Sequence, residues 1–171
     1  LNVPPTLVAF AVCPTDVRLT VSQEFKASGS KVVLVPAPRG EDELPDFAAL
    51  RRGLAKIHEL IAAGRVLASY TVRNGGVAAA VSKMAFGNRI GLAFAGPQDA
   101  AGLFAPDYGA VVLELPADAD LAAAFGETTY RELGHTQDKP AITVNGVDIP
   151  LDEAAAVWEA PLESIFPTRA R

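Results

Sequence analysis

Hydrophobic positions along the chain fall into short runs separated by turns rich in glycine and proline, and this punctuation predicts its elements. The apolar run Leu7-Val8-Ala9-Phe10-Ala11-Val12, stopped by Pro14, predicts a buried strand. Thr15-Asp16 then offers a cap for a short helical turn. Ser28-Gly29-Ser30 predicts a turn, and Lys31-Val32-Val33-Leu34-Val35 a β-branched strand halted by Pro36 and Pro38. A polar loop over 39–42 leads to Pro45. Beyond it Phe47, Leu50, Leu54, Ile57, Leu60 and Ile61 recur three and four apart, which predicts an amphipathic helix ended by Gly64.

A strand over 66–72 follows, then a polar turn with two glycines, Gly75-Gly76, then an amphipathic helix from Val77 that stops at Gly87-Asn88. Residues 90–94 predict another strand, and Pro97-Gln98-Asp99 opens a short helix toward Phe104. The run over 109–115 is the most strand-like of the second half. Weaker strands are expected over 130–136 and 141–144, with His135 near the sheet edge, and Asn145-Gly146 predicts a type I′ hairpin turn. Pro150 starts a last helix over 151–163, where Asp152 and Glu153 suit the positive end of its dipole. Strands alternating with helices, plus one clear hairpin, predict an α+β fold: a mixed sheet covered by helices.

Size and composition narrow the class. The chain has 171 residues, half of them hydrophobic, with frequent alanine, which fits one folded domain with a proper core. A net charge of −5 without a basic cluster argues against a nucleic-acid partner. The single cysteine, Cys13, excludes an internal disulfide framework and a multi-cysteine metal site, and a reducing, cytoplasmic setting fits best. No run reaches the roughly 18–20 apolar residues of a membrane span, and no basic segment precedes 7–12, so neither a membrane partner nor a signal peptide is expected. Leu1 in place of a methionine hints at a longer parent. Residues 1–16 then read as a lead-in strand and linker from a preceding domain, 17–166 as the domain itself, and 167–171 as the start of a further linker.

Candidate chemistry is sparse. His58 lies mid-helix and His135 in a strand, and neither has a second histidine beside it, so no metal site is assigned. Ser69 and Ser82 lack a triad-like context, and the carboxylates sit in loops or at helix starts, so no catalytic residue is assigned either. Trp158 is expected to anchor the core or an interface. The one ligand-ready element is the turn carrying Thr71, Arg73, Asn74, Gly75 and Gly76, where unpaired helix N–H groups suit a nucleotide or phosphate. Arg73 either meets such an anion or pairs with a surface carboxylate, Asp107 or Glu114. A Gly-Gly turn is by itself more often only a turn.

Taken in order, several segments resemble one known family. These are residues 4–12 with Asp16-Val17-Arg18 and Val21-Ser22-Gln23-Glu24-Phe25, the helix and strand over 57–68, Gly75-Gly76-Val77 through Lys83-Met84-Ala85-Phe86-Gly87-Asn88, Ile90-Gly91-Leu92, Tyr108-Gly109-Ala110-Val111-Val112, and the Trp158 tail. The chain resembles the C-terminal domain of the aminoimidazole ribonucleotide synthetase-related family, in the form found in the second half of phosphoribosylformylglycinamidine synthases. The resemblance implies a share in an ATP- and glutamine-dependent ligase of purine biosynthesis. There ATP phosphorylates an amide oxygen, and ammonia from a glutaminase domain displaces the phosphate. It implies ATP or ADP with magnesium as cofactors of the full-length enzyme, and an ATP-binding domain and a glutaminase domain of the same polypeptide as partners. Many members carry His-Asp-Arg-Ser-Asp-Gly-Gly, where this chain has Tyr70-Thr71-Val72-Arg73-Asn74-Gly75-Gly76. Thr71 stands in place of the magnesium-binding carboxylate, and a neutral hydroxyl is a poor ligand for a hard cation. Arg73 stands in place of a nucleotide-contacting serine, so no tightly bound nucleotide is expected on this fragment alone. Two alternatives stay open. One is a free-standing ligand-sensing domain. The other is a domain of a related ATP-dependent synthetase or kinase, of the selenophosphate, thiamine phosphate or hydrogenase-maturation kind.

Overall fold

A strand of β-branched apolar residues needs both faces covered. The computed structural model, which describes residues 4–163 and 165–167, accordingly places β1 (Lys31–Val35) inside a seven-stranded mixed sheet. The other strands are β2 (Ala68–Thr71), β3 (Gly91–Phe94), β4 (Val111–Leu115), β5 (Arg131–Gln137), β6 (Ala141–Val144) and β7 (Val147–Pro150). Their spatial order is β2-β4-β1-β5-β3-β6-β7, and only β3 and β6 run parallel.

Alternation along the strands separates two cores. Val32 and Leu34 face one side with Ala68, Val112, Leu92 and Ile142. They meet α2 (Gly76–Asn88), which buries Val77, Ala80, Val81, Met84 and Ala85, and the first turn of α5 (Leu151–Glu163). Val33, Val35, Leu113 and Leu115 face the other side, against Ile57 and Leu60 of α1 (Phe47–Ala62) and Leu121, Ala124 and Phe125 of α4 (Leu121–Phe125). The sheet is thus covered by helices, as the sequence predicts. No helix among the described residues is long and apolar enough to cross a membrane.

Local chemistry explains most boundaries. Asp46 caps α1 by accepting from the Ala49 N–H at 2.9 Å. At its other end Gly64, at φ 68°, donates to Ile61 O while the Arg65 N–H reaches Leu60 O, a pair of bonds that ends the helix. Asp16 caps a 3₁₀ turn over Val17–Leu19. Asn145 and Gly146, at φ 51° and 78°, make the primed turn between β6 and β7.

Three expectations need correction. Residues 7–12 form no strand: Leu7, Val8, Phe10 and Val12 are 76–95 % exposed, because nothing among the described residues lies over them. β5 is central, not an edge, lying between β1 and β3 with a bulge at Val32/Val33. Gly134 permits this, since a Cβ there would sit 2.0 Å from Ala93 O. α2 stops at Gly87-Asn88 as the sequence predicts, with Arg89 beyond it in the left-handed conformation. Gly87 is small because the Glu24 side chain crosses it, 2.2 Å from where a Cβ would be. On α1, Phe47 and Leu54 face outward, 71 % and 46 % exposed, and Gly53 takes the buried position against Val35. The helix α4 and the strand β7 carry no periodic signal long enough to predict them. Residues 1–3 and 168–171, which include most of the expected terminal linker, lie outside the described residues.

One polar group organises this core. Glu114, in β4 with 0 % exposure, accepts from the backbone N–H groups of Lys26 at 2.8 Å and Ala27 at 3.1 Å. Glu114→Ala would orphan both donors and is expected to cost about 3 kcal/mol in urea unfolding, with Glu114→Gln losing less.

Candidate functional site

The turn singled out by the sequence joins the end of β2 to the start of α2. Thr71 pairs with Val111 in the ladder and is exposed. Val72 then leaves the sheet buried, its N–H bonded to Ala110 O at 2.9 Å. The Arg73 carbonyl accepts from the Gly76 N–H at 3.0 Å, closing the turn, and Ala79 N–H to Gly75 O begins the helix. The five expected residues therefore do lie together. Thr71, Arg73 and Asn74 are exposed, Gly75 is half-buried and Gly76 is buried.

Both glycines are required by the backbone. Gly75 has φ 84° and Gly76 φ 62°, and a Cβ on Gly75 would come within 2.7 Å of Ala79 Cβ. At Gly76 the constraint is tertiary: a Cβ would lie 2.3 Å from Leu103 O and 2.6 Å from Ala105 O, at the end of α3 (Ala100–Phe104). The close approach at Gly76 is made by another helix of the same domain. The start of α2 nonetheless has no side-chain cap, and with the Gly76 N–H spent on Arg73 O, the donors left for a ligand are those of Val77 and Ala78.

Arg73 makes neither of the ion pairs considered from the sequence. Glu114 is not a surface carboxylate, since it is buried and engaged with Lys26 and Ala27. Asp107 is flanked electrostatically by Arg39 and Arg131 instead. Partial burial raises its pKa above the usual carboxylate value, while those two arginines and an Ala37 N–H pull the other way. Asn74 is held in place, because the Tyr108 hydroxyl donates to its Oδ1. Tyr108, 34 residues away, is the member of this cluster that sequence reasoning missed as a site residue, for nothing in its local pattern points to Asn74.

No group of three or more His, Cys, Asp or Glu among the described residues could hold a metal. Thr71 offers one hydroxyl and no charge where a divalent cation needs several oxygens. Hollows lie elsewhere. One of about 750 Å³ opens beside Arg52, Lys56, Phe125 and Thr128, and one of about 410 Å³ lies between Tyr70, Lys83, Phe86 and Trp158. The turn itself is open surface, with donors and a cation but no nucleophile or general base beside it.

With this geometry in hand, the comparisons are specific about fold. No protein-family model matches the sequence. T. maritima PurL complexed with FGAR superposes with a TM-score of 0.66 at 12 % identity, covering 80 % of this chain and 29 % of that one. The HypE of a HypE-HypF complex gives 0.52 at 15 %, covering 75 % and 54 %. Thiamine monophosphate kinase from Aquifex aeolicus gives 0.50 at 11 %, covering 76 % and 54 %. The fold is that of an aminoimidazole ribonucleotide synthetase-like domain. The chain spans less than a third of the PurL it matches, and the same PurL has also been solved complexed with ATP.

The turn makes two opposed expectations. Gly76→Ala forces a Cβ into the end of α3 at a left-handed position and should cost about 3 kcal/mol in chemical denaturation. Arg73→Ala removes an exposed side chain that has no ion pair among the described residues and should change stability by less than about 0.5 kcal/mol.

Proposed function

We propose that this chain is a domain of phosphoribosylformylglycinamidine synthase, the ATP- and glutamine-dependent ligase that converts formylglycinamide ribonucleotide to its amidine. The observation that supports this reading is the likeness in fold to PurL over 80 % of the chain. The site supports a shared role. The exposed turn carries Arg73, which has no ion pair among the described residues, an Asn74 oriented by Tyr108 and a helix start without a side-chain cap, all suited to holding phosphate. It lacks a nucleophile, a base and a metal-binding set, so other domains of the polypeptide supply the ATP-cradling and glutaminase functions. On this reading residues 17–166 are the domain and 1–16 lead in from its predecessor, and the exposed Cys13 thiol belongs to a reducing cytoplasm.

Likeness to HypE and thiamine monophosphate kinase favours a second reading, a related ATP-using kinase or synthetase of the same fold. The substrate separates the two. A longer protein containing this chain should turn over formylglycinamide ribonucleotide with ATP and glutamine, and Arg73→Ala in it should lower activity. Turnover of thiamine phosphate instead would replace the first reading with the second.

The 171-residue chain alone is expected to show no turnover with formylglycinamide ribonucleotide, ATP and ammonia. Isothermal titration should likewise find no micromolar, magnesium-dependent ADP binding, since Thr71 replaces the carboxylate. Such binding, abolished by Thr71→Ala, would mean that the hydroxyl does hold the metal.

A further inference from the structure

We draw no further inference here: the strongest candidate, the hollow of about 410 Å³ walled by Tyr70, Lys83, Phe86 and Trp158 where β2, α2 and α5 meet, opens beside the exposed apolar end of α5, and nothing in the structure shows what fills or covers it.

Discussion

The packing of this domain depends on a carboxylate buried in the middle of its sheet. Glu114 sits on β4 among Val32, Ala68 and Val112, where an unpaired charge would be ruinous. Its two oxygens take the N–H groups of Lys26 and Ala27, so the segment before β1 must cross the sheet at that level. Three further anchors hold the same segment. Phe25 N–H reaches Met84 O, Asn88 donates to Phe25 O, and Thr136 Oγ1 donates to Ala27 O while accepting from the Ser30 N–H. Phe25, with no exposed surface, fills the core beneath. Glu114 thereby ties the chain ahead of β1 to β4, while the Phe25 backbone ties it to α2.

The sequence made the elements legible wherever a local cause sets them. Asp46 and Gly64 bound α1, Asn145-Gly146 turns the β6–β7 hairpin, and the apolar run at 31–35 defines β1. It failed where the cause lies across the fold. Residues 7–12 have the composition of a strand but no neighbouring strand among the described residues, and a strand without a partner is not one. β5 looks weak because it contains Arg131, Glu132, Gly134 and His135, yet Gly134 is what allows Ala93 to close against it. Its centrality comes from non-local pairing that no window of residues contains.

The same distinction runs through the site. The turn 71–76 was legible because two glycines between a strand and a helix demand a left-handed backbone, and both adopt one. What surrounds the turn was not. Arg73 looked able to pair with Glu114 only because burial cannot be read from an isolated glutamate. Tyr108 holds Asn74 from a loop that its own sequence leaves undistinguished. Gly76 shows how a single residue can carry two explanations: its φ suits a ligand-facing turn, while the Leu103 and Ala105 carbonyls beside it require the missing side chain independently.

The strand order also fixes when the chain can close on itself. β1 lies between β4 and β5, with Lys31 opposite Leu115 on one side and His135 on the other. The first strand therefore has no neighbouring strand to pair with until the chain has extended past its midpoint. Its anchoring groups, Glu114 and Thr136, arrive on those same two late strands. During synthesis the hydrophobic run 31–35 must wait unpaired while the α1, β2 and α2 segments emerge, and loop closure over such distances is slow. Strand and leading segment then lock together in one late event, so the earliest part of the sheet made is among the last to be secured.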